Sequence, residues 1–289
     1  MWHKMGLIYK DRWAQLPTVI EDGDKFRIYF ASRCKDNRSR IFGISVGADT
    51  SKNVHRSSSI PVLDVGKRGC FDDAGVMPSC IRGSLLIYTG WNLDKGAVPY
   101  GHGIGVATLD EMSDRWAAVR LSDGPILDRS PTSPYLVNSG VLNGEHRMWV
   151  CNGSGWDGNF PHYGLQLAQH SYGAWQVDKY KEPVLNEPGF AYSRPAILNI
   201  YPGPRTVLWT ARRTKDTPYV MMAYKSEGLG KRFEPAPEFT IHRSEDGWDS
   251  EMIAYPAVVR RGKRLFMFYN GNNYGETGIG VAEWIGDML

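Results

Sequence analysis

The chain has 289 residues, with 34 Lys and Arg against 31 Asp and Glu, a formal net charge of +3, 32 Gly, 17 Pro and 12% aromatic residues. No basic cluster stands out, so a nucleic-acid partner is not implied. No apolar run approaches the roughly 20 residues of a membrane span, and the start, Met1-Trp2-His3-Lys4-Met5, lacks a long apolar signal region.

The elements, in chain order, repeat. After a short strand, Gly6-Leu7-Ile8-Tyr9, comes an anchor strand, Leu16-Pro17-Thr18-Val19. A hairpin turn at Asp22-Gly23-Asp24 leads to the aromatic strand Phe26-Arg27-Ile28-Tyr29-Phe30. A third strand, Ile41-Phe42-Gly43-Ile44, and an outer one, Pro61-Val62-Leu63, complete the unit. The second unit runs through Met77-Pro78-Ser79-Cys80-Ile81, Leu85-Leu86-Ile87-Tyr88, Gly103-Ile104-Gly105-Val106-Ala107 and Pro125-Ile126-Leu127. The third runs through Asn138-Ser139-Gly140-Val141, Arg147-Met148-Trp149-Val150, Tyr163-Gly164-Leu165 and Pro183-Val184-Leu185. The fourth has Arg194-Pro195-Ala196-Ile197, Thr206-Val207-Leu208-Trp209, Tyr219-Val220-Met221 and Phe239-Thr240-Ile241. The fifth has Tyr255-Pro256-Ala257-Val258, Phe266-Met267-Phe268-Tyr269 and Gly278-Ile279-Gly280-Val281, with no outer strand of its own.

Anchor positions 17, 78, 139, 195 and 256 are separated by 61, 61, 56 and 61 residues. A fixed period of strand-like units signals radial repetition. The expected fold is all-β: a five-bladed β-propeller with four-stranded antiparallel blades, one domain over residues 1–289. Gly6-Leu7-Ile8-Tyr9 is expected to close the last blade and cover its open edge. The four cysteines, Cys34, Cys70, Cys80 and Cys151, show no metal-type spacing. No pair of histidines does either, so no metal site and no cofactor are expected, in a reduced, cytoplasmic setting.

A propeller brings the start of each anchor strand to a central well. Five residues before the anchors stand Arg12, Asp73, Pro134, Phe190 and Glu251. Two units thus place a carboxylate at the same offset, and clustered acids in a concave site divide acid and base roles. Asp73, Glu251 and Asp249 are the candidate catalytic residues, with Asp72 beside them. Arg33, Arg194 and Arg213 end or begin strands at the same mouth and suit an anionic ligand group. Asn138 and Tyr255 precede anchors. Trp91, Trp156 and His162 are candidates for stacking and polar contact, and His102 lies in a neighbouring loop.

The period, the count and the strand signature resemble the five-bladed propeller glycosidase superfamily. This group holds the arabinanases and xylosidases of glycoside hydrolase family 43, the invertases and levansucrases, and the mannoside phosphorylases. The turn Ala168-Gln169-His170-Ser171-Tyr172-Gly173-Ala174-Trp175 is similar to the A-x-S-x-D-G-x-x-W frequent there. The resemblance implies three acids in the axial well, just before the first, third and fourth anchors. Here those positions carry Leu16, Asn138 and Ser193. The resemblance therefore implies a carbohydrate-active protein without the usual triad. The leading expectation is an enzyme cleaving or transferring a glycosyl group on a sugar with an anionic substituent. The alternatives are a non-catalytic sugar-binding propeller, or a transferase or phosphorylase whose arginines hold phosphate. The expected partner is a carbohydrate or glycoconjugate.

Overall fold

The structure, a computed structural model, describes the chain apart from residues 12, 50–53, 57–58, 94–95, 97, 111–115, 132, 178–183, 201–204, 229–231 and 287–289. Of the sequence expectations, Arg12 and Pro183 lie outside the described residues. β-Branched and aromatic residues recur in the strands, as in Lys25–Arg33 and Arg264–Asn270, and suit a pleated, half-buried surface. Helix is limited to the 3-10 turn Pro237–Phe239 and the turn Asn272–Gly275. Among the described residues no helix is long and apolar enough to cross a membrane.

Among the described residues the strands pair in five antiparallel groups. The first holds Gln15–Asp22, Lys25–Arg33, Ser39–Gly47 and Val54–Arg56. The second holds Gly75–Arg82, Leu85–Leu93, Tyr100–Asp110 and Ala117–Arg120. The third holds Val137–Leu142, Arg147–Asp157, Phe160–Ser171 and Ala174–Val177. The fourth holds Ala196–Ile200, Arg205–Arg213, Val220–Ser226 and Glu234–Pro235, with Ala191–Tyr192 paired to the end of Arg205–Arg213. The fifth is Ala254–Arg261, Arg264–Asn270 and Ile279–Trp284, completed by Trp2–Tyr9. The N-terminal strand thus pairs where the sequence placed it, with Trp2 opposite Trp284 and Tyr9 opposite Ile279.

Neighbouring groups touch along their first strands. Gln15–Asp22 meets both Gly75–Arg82 and Ala254–Arg261, Gly75–Arg82 meets Val137–Leu142, and Ala196–Ile200 meets Ala254–Arg261. A parallel bridge between Tyr163 and Ala191 links the third group to the fourth. The core lies between groups. Phe26, Ile28 and Phe30 pack with Phe266 and Phe268, and Phe26 stands edge-on to each of the last two rings at 5.3 Å.

One expectation is corrected. The Pro-x-Leu segments are not the outer strands, which are Val54–Arg56, Ala117–Arg120 and Ala174–Val177. Pro61-Val62-Leu63 instead makes a single bridge to Ile41, with the Val62 and Leu63 amides both donating to its carbonyl. Ile126 and Leu127 do the same to Ile104, and Val184 and Leu185 to Leu165. The buried Leu63 and Leu127 explain the apolar signal; they plug the blade near the start of its third strand rather than extend a ladder. Proline opens these segments because its missing N–H suits a place where the ladder is not continued.

Two acids act as staples inside their blades. Asp72 is fully buried; its Oδ2 accepts from Tyr88 at 3.1 Å and from Arg120 Nε at 2.8 Å. Asp249 repeats this in the fifth group, accepting from Tyr269 at 2.9 Å and from Lys4 at 2.7 Å. Tyr88 and Tyr269 hold equivalent second-strand places, and both cations come from the outer strand. Lys4 of the N-terminal strand therefore does what Arg120 does in the second group. Burial and the adjacent carboxylate raise the pKa of both phenols, so they donate as neutral groups.

Candidate functional site

The first strands bend sharply where they converge. Register slips at Gln15/Thr18, Pro78/Cys80, Asn138/Val141 and Ala254/Ala257, each at an anchor. Such bulges re-aim side chains. Leu16, Ser139 and Tyr255 take the left-handed conformation there, with φ of 52°, 59° and 55°. These residues bound a cavity of about 580 Å³, within the range of small-molecule sites. Among the described residues, seven of the eight non-glycine positions with positive φ line it: Trp13, Leu16, Asn37, Ser139, Tyr255, Asn273 and Tyr274. Backbone strain of this kind persists where the surrounding structure over-determines it and clusters at ligand sites.

The floor is held by Arg194, which is 2% exposed. Its Nη1 donates to the carbonyls of Leu16 and Pro78 and, at 2.7 Å, to Thr18 Oγ1. Its Nη2 donates to the carbonyls of Pro17, Tyr255 and Pro256, the first at 2.6 Å. One guanidinium thus ties the fourth group to the first, second and fifth. Desolvation lowers its pKa to about 10, leaving it cationic at neutral pH. Both terminal nitrogens of Arg194 thus donate to oxygens of the protein, while the residue also lines the cavity.

The walls are aromatic and cationic. Trp91 donates its indole N–H to Ser39 Oγ at 2.8 Å and carries the Arg33 guanidinium over its ring at 5.5 Å. Arg213 lies 4.6 Å from the Phe160 ring centroid, 5.4 Å from Tyr219 and 5.9 Å from Tyr274. Its Nε has no hydrogen-bond partner among the described residues. Tyr100, Tyr163, Tyr219 and Tyr255 also line the space. Burial is the first cause that lifts all four phenols above their ordinary pKa, so they are neutral donors. Asn138 Nδ2 lies 3.1 Å from His102 Nδ1; with the amide donating, the imidazole proton sits on Nε2. Burial lowers the His102 pKa to about 4, so this ring is neutral too.

Among the described residues that line the cavity there is no carboxylate. Leu16, Asn138 and Ser193, which stand where the resemblance implies acids, are all in the lining. So are Arg33, Trp91, Arg194, Arg213 and Tyr255. Asp73, Glu251, Asp72, Asp249, Trp156 and His162 are not. Asp73 Oδ2 accepts from the Gly69 amide at 2.8 Å within its own loop. Glu251 is exposed, and its backbone amide donates to Asn272. Both precede the strands that begin at Gly75 and Ala254, so they stand off before the chain turns inward. Trp156 stands behind the wall, edge-on to Tyr100 at 5.4 Å, and His162 is edge-on to Phe160 at 5.1 Å. Sequence reasoning missed Tyr163 and Tyr219; each begins the third apolar segment of its repeat in the sequence, and that recurrence was the available signal. All four cysteines are free thiols. Among the described residues no group of three or more His, Cys, Asp or Glu is placed to hold a metal ion.

The fold is the propeller fold of the family-43 arabinanases and related glycoside hydrolases. A structure described as a glycoside hydrolase superposes with a TM-score of 0.75 at 14% identity, over 98% of this chain and 92% of its own. A thermostable family-43 glycoside hydrolase gives 0.64 at 13% identity, over 96% of this chain and 91% of its own. The Cellvibrio cellulosa alpha-L-arabinanase complexed with arabinohexaose gives 0.61 at 13%, over 95% and 93%. No family model matches the chain. Two uncharacterized proteins of Mycobacterium tuberculosis, from strains CDC 1551 / Oshkosh and ATCC 25618 / H37Rv, are each 34% identical to it over 308 residues. These alignments cover 97% of this chain and 98% of each relative, and the chain belongs to their family.

Proposed function

We propose that the five strand groups are the blades of one closed five-bladed propeller domain, and that its axial cavity takes a carbohydrate bearing an anionic substituent. The carrying observation is the make-up of the lining: aromatic rings, neutral phenols and the cations Arg33, Lys35, Arg194 and Arg213, with no described carboxylate. Aromatic faces stack on sugar rings and phenols bond hydroxyls, while the guanidinium answers a negative group. First-strand contacts running from the third group through the second, first and fifth to the fourth, with the Tyr163–Ala191 bridge between the third and fourth, support closure.

Recognition without hydrolysis is the reading the lining favours. Hydrolysis needs one acid to protonate the leaving oxygen and a second carboxylate to activate the attacking group. The candidate acids are better read as frame: Asp72 and Asp249 as staples, Asp73 as a loop bond and Glu251 as a surface group. The second reading, cleavage or transfer of a glycosyl group, is favoured by likeness to glycoside hydrolases, and a fold hosts many functions.

The test is a panel of charged and neutral oligosaccharides, followed by calorimetry for binding and by chromatography for products. Binding of acidic glycans with no product supports recognition. Released product supports the second reading. Binding of neutral glycans alone would remove the anionic substituent.

A further inference from the structure

Arg213 separates itself from the other arginines of the site. Arg194 is engaged by carbonyls. Arg212, its neighbour in sequence, donates through Nη1 to both carboxylate oxygens of Glu187, each at 2.6 Å. Arg33 is exposed at the rim and bonds Asn37 at 3.2 Å. Arg213 faces the cavity between Phe160, Tyr219 and Tyr274, with its Nε enclosed and lacking an acceptor.

Tyr274 reaches this place by an unusual route. It follows Asn273 in a left-handed turn, the pair having φ of 48° and 58° without glycine. The turn is fixed from outside: the Ala14 amide donates to the Gly275 carbonyl at 3.1 Å, and the ideal Cβ of a residue at 275 would meet the Ala14 carbonyl oxygen at 2.5 Å. The first and fifth groups therefore hold Tyr274 against the Arg213 guanidinium.

We infer that Arg213 receives a carboxylate of the ligand, so that the sugar is a uronate-type sugar acid rather than a sugar phosphate. This rests on the sugar-site reading above. The Arg213 guanidinium is packed among Phe160, Tyr219 and Tyr274, and its planar fork of donors matches a carboxylate. A phosphate monoester carries close to two charges above its second pKa of about 6. Beside Arg213 its second charge would meet aromatic rings and neutral phenols, which is costly, while Arg194 is held by carbonyls and Arg33 lies over Trp91. The phenols add donors without adding charge, since burial keeps Tyr219 protonated.

The experiment is calorimetry at pH 8 with D-glucuronate and D-galacturonate, with D-glucose and D-galactose, and with the 6-phosphates of these two sugars. One uronate should bind at least ~10-fold tighter than its neutral parent and its phosphate, the return of a charge-assisted pair. Arg213→Lys should cut the ratio of uronate to parent affinity to about threefold or less. A phosphate that binds as well as the uronate, or a uronate no better than its parent, overturns the inference and leaves the sugar site standing. No binding by any of the six overturns both. Should Arg213→Lys fail to fold, the Arg213 Nε–H resonance of the unaltered protein, followed by nitrogen-15 NMR, decides. It should shift on adding the uronate, and an unmoved resonance overturns the inference.

Discussion

Arg194 Nη2 donates to the carbonyl oxygen of Pro17 at 2.6 Å, a bond across the centre of the molecule between residues 177 positions apart. With its other partners it gives five carbonyls and one hydroxyl a common cation. We expect Arg194→Met to cost about 3–5 kcal/mol, because it leaves buried carbonyls without donors where several strand groups meet. Arg194→Lys keeps the charge, loses the fork and should cost about half as much. Urea unfolding of the three proteins measures both.

The staple between the N-terminal strand and the fifth group makes a second prediction. Lys4→Met leaves the Asp249 carboxylate, 1% exposed, with Tyr269 but no cation. A loss of about 3 kcal/mol is expected. Lys4→Met combined with Asp249→Asn should recover part of it, because the uncompensated charge is gone. A double-mutant cycle by thermal unfolding checks this, and strictly additive losses would show that the two residues do not act together.

Protonation of His102 should couple to stability. Its folded pKa, lowered by burial to about 4, lies below the ordinary imidazole value of 6.5. Between these values the unfolded chain binds the proton and the folded protein does not, so stability is full above about pH 6.5 and falls as the pH drops toward 4. The expected loss is on the order of 1–3 kcal/mol. His102→Gln should flatten this part of the pH–stability curve, measured by urea unfolding from pH 7 to 4.

Asp73→Asn and Glu251→Gln should leave the affinity for a bound acidic sugar within about twofold, less than 0.5 kcal/mol. Calorimetry on both variants is the check, and a tenfold loss in either would bring that acid back into the site.

The fold was largely legible because the anchor spacing is a repeat and repeats impose architecture. The anchor-preceding residues Leu16, Met77, Asn138, Arg194 and Tyr255 all reach the cavity. The outer strands were less legible. Pro61-Val62-Leu63 is apolar because Leu63 plugs the blade, while the pairing strand Val54–Arg56 is short and carries His and Arg. The candidate acids are placed by a different rule. An equal offset from the anchor marks an equivalent place in the fold, but five residues back that place is a loop before the inward turn. No local pattern shows that Arg194 would be enclosed by carbonyls from other groups, since those partners are distant in sequence. Tyr274 was equally hidden, because Asn273 and Tyr274 take left-handed φ although neither is glycine.

The most direct test of a sugar site in the axial cavity is a crystal structure after soaking with an acidic oligosaccharide built from uronate units. The account predicts difference density in the cavity, with a ring against an aromatic wall and a carboxylate at Arg213. Density confined to the outer faces of the blades, with the cavity holding only water, would contradict it.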